Sequence, residues 1–162
     1  QPALDRHNAN YACVYGLRHE LETRYRADVA YLTNGIVPTE QDYADTSYWP
    51  PFADLVQKAV EQKEKEYMAK LLEFCRRNAA VLWHGWFRDT EGFAVTGGSV
   101  VAKSYEDETG QLGVIVWNPT EMPVTYTLAA PGRRRHSVDS PEGSCEDDLP
   151  LSPQSIRLHL YA

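Results

Sequence analysis

The chain has 162 residues, of which 43% are hydrophobic, 24% charged and 11% aromatic, a composition typical of globular proteins rather than disordered ones. Its 16 Lys and Arg residues against 23 Asp and Glu residues give a net charge of −7, which repels phosphate backbones and argues against a nucleic-acid partner. No stretch approaches the run of about 18 apolar residues that a membrane-spanning helix needs, so we expect no membrane partner.

The first predicted element is a helix over residues 10–32. Apolar side chains recur there at intervals of three and four, the pattern of one buried helix face. These side chains are Val14, Leu17, Leu21, Tyr25, Val29 and Leu32. Asn34 and Gly35 follow, and such a pair supplies the left-handed stop that commonly ends a helix.

Residues 36–51 form a long connection that contains three prolines and many Tyr, Trp and Asp residues. Its length exceeds the usual connection of about 4–6 residues, and loops of this length are often functional. Aromatic rings stack on sugar faces, and carboxylates accept hydrogen bonds from sugar hydroxyl groups. The candidate carbohydrate-binding residues are therefore Asp42, Asp45, Tyr48 and Trp49. A purely structural role is the alternative for this loop.

A second helix is predicted over residues 52–78, where apolar residues again mark one side. They are Leu55, Val56, Ala59, Val60, Tyr67, Leu71, Phe74 and Cys75. At about 1.5 Å per residue this helix would span about 40 Å, a length suited to packing against a large body.

After residue 80 the pattern changes to short apolar or alternating runs separated by turn residues, as in an antiparallel sheet. The predicted strands are residues 81–87, 99–105, 112–117, 124–129, 135–138 and 155–161. The sequence therefore predicts an α+β fold, with two long N-terminal helices followed by a small antiparallel β-sandwich of about six strands. We divide it into a helical region, residues 1–80, and a sandwich, residues 81–162.

Motifs for metals, cofactors and nucleophiles are missing from the sequence. Cys13, Cys75 and Cys145 are an odd number without a CxxC pair, so buried free thiols are expected rather than a disulfide framework or a zinc site. The five histidines show no HExxH spacing, and GxSxG, GxGxxG and phosphate-loop motifs do not occur. We expect no metal and no cofactor.

The segment LWHGWF carries two tryptophans, Trp83 and Trp86. Sugar stacking is one interpretation of exposed tryptophans. Because the two residues lie three apart in an apolar segment that joins two regions, we predict core packing for both.

Two helical stretches and three strand phrases together carry a family resemblance. The helical stretches are LRHELETRYRADVAYL and LEFCRRNAAVLWHGWFRDTEGF, and the strand phrases are VVAKSY, LGVIVWNPTEMPVTYTL and LPLSPQSIRLHLYA. In this order they resemble the last helices of a (β/α)8 (TIM) barrel glycoside hydrolase of the bacterial polysaccharide-degrading kind, followed by that family's small C-terminal β-sandwich.

The resemblance implies that the chain is the C-terminal region of such an enzyme. A whole barrel takes about 250 residues, so most catalytic strands would precede Gln1, and no catalytic residue of the family matches a position here. We therefore expect no catalysis by this chain alone. We also expect its helices to be covered by the barrel polypeptide or by a second copy of the chain through self-association. Carbohydrate is the implied ligand, and a secreted or periplasmic location is implied because such enzymes are commonly exported.

Two other interpretations stay open. In one, the chain is a non-catalytic carbohydrate-binding module, in which the loop residues or exposed sheet aromatics hold a glycan without cleaving it. In the other, it is a structural or protein-interaction domain whose amphipathic helices bind a partner polypeptide.

Overall fold

The structure, a computed structural model, describes residues 6–16, 55–146 and 148–162. Within these ranges, three helices precede seven strands. The helices are α1 (Arg6–Val14), α2 (Leu55–Arg77) and α3 (Ala79–Leu82). The strands are β1 (Trp86–Asp89), β2 (Ala94–Gly97), β3 (Val101–Glu106), β4 (Leu112–Trp117), β5 (Tyr126–Ala129), β6 (Arg135–Asp139) and β7 (Ile156–Tyr161).

The strands form two antiparallel sheets. Five of them lie in the order β1-β3-β4-β7-β6, and β2 pairs with β5 in a second, two-stranded sheet. The predicted α+β class with antiparallel sheet is confirmed, although seven strands are present in the described part instead of about six. The additional strand is the four-residue strand β2, which ends at Gly97.

Strand β4 lies at the centre of the large sheet and is buried on both faces. Ile115 and Trp117 pack towards the helices, whereas Val114 and Val116 pack towards the two-stranded sheet, because successive side chains of a strand point to opposite faces. The large sheet is therefore covered by helices on one face and by the small sheet on the other, in a sandwich-like arrangement.

The helix-side apolar layer joins α1, α2 and α3 to the large sheet. From α2 it includes Tyr67, Leu71, Phe74 and Cys75, four of the residues that the sequence assigned to the buried side of the second helix. The helices and the large sheet share this layer, and the division into residues 1–80 and 81–162 stays a prediction.

The expectation of two long N-terminal helices is wrong for the first helix in the described part. Helix α1 spans nine residues and ends at Val14, and Gly16 follows with a φ of +75°, a left-handed conformation that glycine adopts without steric cost. A Cβ on Gly16 would lie 3.1 Å from the Tyr105 hydroxyl oxygen. Residues 17–54, which hold the remainder of the predicted first helix and the long loop, lie outside the described residues.

The predicted strand over residues 81–87 is also corrected. Residues 79–82 form the helical turn α3, and strand β1 begins at Trp86. Trp83 is half-buried and packs against the helix-side layer, whereas Trp86 is 64% exposed, contrary to its predicted core position. No described helix is both long and apolar enough to cross a membrane.

Candidate functional site

The four residues predicted to bind carbohydrate all fall outside the described part of the chain. They are Asp42, Asp45, Tyr48 and Trp49. Their carbohydrate-binding role stays a prediction.

Many carboxylates of the described part are held in ion pairs with basic side chains. Asp89 pairs with Lys103, Glu91 and Glu106 with Arg88, Asp139 with Arg77, and Glu142 with Lys70. The Asp89 pair joins β1 to β3, and the Asp139 pair joins α2 to β6. These carboxylates therefore hold elements of the fold together.

Hydrogen bonding changes the acidity of the Asp139 carboxyl group. Burial alone would raise its pKa, but hydrogen bonds from Arg77, Asn78 and the backbone N–H of Ser140 outweigh burial and hold the pKa of that carboxyl below its usual value. In the same way, hydrogen bonds from Thr109 and Gln111 outweigh burial and lower the pKa of Asp107. The general acid of a glycosidase needs a raised pKa, and these two carboxyls have shifts in the opposite direction.

A buried histidine lies between the two sheets. His159 on β7 has its Nε2 atom 2.6 Å from the hydroxyl oxygen of Tyr126 on β5. Burial, with smaller contributions from Arg157 and Arg135, lowers the pKa of His159 to about 3, so the ring is neutral at pH 7. Because His159 is only 2% exposed, this pair has a structural role, joining the two sheets.

A recess of about 170 Å³ lies where α1 and α2 meet the chain around β6 and β7. Its lining includes Arg6, Tyr67, Ser140, Glu142, Cys145 and Arg157, together with apolar walls. The Arg6 guanidinium lies 4.1 Å from the centre of the Tyr67 ring. The volume is below the range of about 300–1,000 Å³ usual for small-molecule sites, so this recess is too small for a sugar chain.

Strand β1 provides the exposed aromatic surface of the large sheet. Trp86 lies on this edge strand opposite Glu106 of β3, and directly opposed residues share one face of a sheet. The Arg88 guanidinium forms ion pairs with Glu106 and with Glu91, the latter at 2.7 Å. We name Trp86, Arg88, Glu91 and Glu106 the β1 edge patch.

The β1 edge patch combines an exposed indole with charged groups that are already oriented by one another. Flat aromatic rings beside polar groups are suited to sugar faces and their hydroxyl groups. Sugar stacking was one interpretation of Trp86 in the sequence, but core packing was predicted because Trp86 lies three residues from Trp83 in an apolar segment that joins two regions.

Metal coordination has no geometric support in the described residues, where no group of three or more His, Cys, Asp or Glu side chains could hold an ion.

Comparisons of the chain with protein-family models, with curated proteins and with solved structures find no match.

Proposed function

We propose that the chain is the C-terminal region of a (β/α)8-barrel glycoside hydrolase, with an accessory sandwich-like module and terminal barrel helices, and that it is not catalytic alone. The observation that carries the proposal is the arrangement of the three strand phrases behind the resemblance. They supply β3, β4 and β7, which are neighbours in the large sheet, and most of β5, which belongs to the two-stranded sheet. Phrases that lie apart in the sequence thus form one structural unit, as an accessory module requires.

The state of the carboxylates supports the non-catalytic part of the proposal. Glycoside hydrolysis needs two carboxyl groups facing a sugar, one of them with a raised pKa. In the described residues, Asp107 and Asp139 have lowered pKa values, and Glu106 and Glu142 are paired with arginine and lysine. The catalytic pair of the proposed parent enzyme then belongs to its barrel strands.

Two measurements test this proposal. The intact mass of the native gene product is expected to exceed that of this chain by the remainder of a barrel, a fold that takes about 250 residues in all. The chain alone, incubated with a panel of polysaccharides, is expected to release no reducing sugar, whereas the native gene product releases it from at least one. A native product of 162 residues, or hydrolysis by the chain alone, would contradict the proposal.

The second candidate function is a carbohydrate-binding role, which the exposure of Trp86 favours. An indole that is 64% exposed on an edge strand is available to a ligand without rearrangement of the core. In this function the β1 edge patch binds a glycan, with Trp86 stacking on a sugar ring and Arg88 and Glu91 meeting its hydroxyl groups.

Affinity electrophoresis through polysaccharide gels tests the binding function, with Trp86→Ala compared with wild type. Loss of one stacking ring is expected to weaken binding about 2- to 10-fold. Met122→Ala is the matched control, because Met122 is also highly exposed but lies in the connection between β4 and β5. If the wild-type chain migrates at the same rate in gels that contain a polysaccharide as in gels without one, for every polysaccharide of the panel, this function is ruled out.

A further inference from the structure

Two cysteines that are distant in the sequence meet in the helix-side layer. Cys13 lies on α1 and Cys75 on α2, and their Sγ atoms are 3.4 Å apart. Both thiols are buried and free, and the third thiol, Cys145, is free and half-buried in the chain that follows β6. The sequence alone gave no pairing, because 62 positions separate the two residues.

The fold holds these two sulfur atoms facing each other. A disulfide requires an S–S separation of about 2.05 Å, so the atoms need to approach by only about 1.4 Å. Helix α1 is fixed nearby on both sides of Cys13. The Asn10 side chain accepts a hydrogen bond from Tyr67 and donates one of 2.8 Å to the Gln154 carbonyl. The Val14 carbonyl accepts one of 2.6 Å from Tyr105.

We propose that Cys13 and Cys75 are a disulfide-forming pair that crosslinks α1 to α2 by exchange with an external low-molecular-weight disulfide such as glutathione disulfide. The pair is thus a covalent modification site in the helix-side layer, and it is independent of the proposed glycosidase origin of the chain.

The exchange proceeds in two balanced steps. One cysteine loses its proton, and its thiolate attacks a sulfur of the external disulfide, forming a mixed disulfide and releasing one glutathione thiolate. The other cysteine then loses its proton and attacks the protein sulfur of the mixed disulfide, releasing the second glutathione. The two protein thiols are oxidised by two electrons, and one glutathione disulfide is reduced to two glutathione thiols.

The surroundings of the pair determine when the exchange occurs. The hydrogen bond with Cys75 and burial raise the pKa of the Cys13 thiol, so little thiolate is present in the folded state, and thiolate is the reactive form. Oxidation is therefore expected to be fast during folding and slow in the folded protein, where α1 must first separate from α2.

The bond also has a consequence for stability. It closes a long loop in the unfolded chain, and crosslinks of long loops stabilise a protein mainly by restricting the unfolded ensemble. The melting temperature of the oxidised protein is expected to exceed that of the reduced protein by about 5–15 °C.

The test begins with reduced, unfolded chain that is refolded in a mixture of reduced and oxidised glutathione, alkylated under denaturing conditions and digested without reduction. The expected result is a peptide pair linked through Cys13 and Cys75, two hydrogen atoms lighter than its reduced form, with Cys145 alkylated. Alkylation of all three cysteines, or a bond that includes Cys145, overturns the proposal.

Melting curves provide the second readout. Cys145→Ser is the matched control and is expected to keep the full difference in melting temperature between the oxidised and reduced protein, whereas Cys13→Ser abolishes it. If Cys13→Ser fails to fold, the comparison of oxidised and reduced Cys145→Ser protein decides alone. Equal melting temperatures in that comparison overturn the stabilising role.

Discussion

The hydroxyl group of Tyr105 on β3 donates a 2.6 Å hydrogen bond to the carbonyl oxygen of Val14, the last residue of α1. The carbonyls of the last helical turn lack partners within the helix, and Val14 is fully buried, so water cannot replace this bond. Burial raises the pKa of Tyr105 above its usual value, which keeps the hydroxyl protonated. The sheet thus supplies the hydrogen bond that the end of the helix needs.

Replacing Tyr105 by Phe tests this bond. The variant keeps the ring but leaves the buried Val14 carbonyl without its donor, and we expect a loss of about 1–3 kcal/mol in the free energy of unfolding. Urea denaturation measures the difference. Tyr11→Phe is the control, because Tyr11 is exposed and its substitution is expected to cost less than about 0.5 kcal/mol. Equal losses in the two variants would contradict the assigned role.

Gly113 on β4 lies against Val81 of α3. A Cβ at this position would overlap Cγ1 of Val81 and lie 3.3 Å from Cδ1 of Leu158. We expect Gly113→Ala to cost about 1–3 kcal/mol, the usual cost of overpacking a core.

The double variant Val81→Ala with Gly113→Ala separates this contact from other effects. Shortening Val81 removes the overlapping methyl group, so the added cost of Gly113→Ala in this background is expected to fall by at least about 1 kcal/mol. Additive costs in the cycle would show that the overlap with Val81 is not the cause.

The Asn118 side chain organises the turn after β4. Its amide group donates to the carbonyls of Met122 and Leu151 at 2.8 and 3.0 Å, and its oxygen accepts from the backbone N–H of Thr120 at 2.9 Å. In Asn118→Asp, a carboxylate oxygen replaces the donor and faces two carbonyls. We expect a loss of about 2–4 kcal/mol in the free energy of unfolding, whereas Thr120→Ala, which keeps the backbone bond, costs about 1 kcal/mol.

His159 makes stability depend on pH. In the unfolded chain it titrates near pH 6.5, whereas in the folded protein its pKa is about 3, so the unfolded state binds the extra proton first. The contribution of neutral His159 to the free energy of unfolding is therefore fully present above pH 6.5. Below pH 6.5 the free energy of unfolding falls by about 1.4 kcal/mol per pH unit, until about pH 3.

Urea denaturation at pH 7, 6 and 5 measures this slope. Between pH 7 and 5 the expected loss is about 2 kcal/mol. Asp107 and Asp139, whose pKa values are lowered, affect stability only in more acidic solution. The stability that their carboxylates contribute is lost as pH falls below the usual pKa of an aspartate. His159→Gln is expected to remove the slope in this window. A wild-type protein with equal stability at pH 7 and 5 would contradict the assignment.

Strands β3 to β7 and the buried side of α2 from Tyr67 to Cys75 follow directly from the sequence, because their patterns depend on local alternation and helical spacing. The end of α1 does not. The apolar spacing continues past Gly16, and a single glycine within a helical pattern is often tolerated. The reason for the break is non-local: Tyr105, about ninety positions away, holds the last carbonyl of α1.

The candidate site likewise depends on contacts between residues that are distant in the sequence. The position of Trp86 depends on where the helical turn α3 gives way to β1. At that junction, a Cβ on Gly85 would lie within about 3 Å of the carbonyl oxygens of Val81 and Glu106. Likewise, the Tyr126 and His159 contact joins different sheets. Pairings of this kind are set by the tertiary fold and leave no regular spacing in the sequence.

The alternation of side chains along β4 has a consequence for how the protein unfolds. Because Val114 and Val116 belong to one apolar layer while Ile115 and Trp117 belong to the other, unfolding of this strand removes packing from both layers at once. With β3 and β7 on either side, its amide hydrogens are expected to be the slowest to exchange in the described part of the chain. The two layers then lose their order as one cooperative unit.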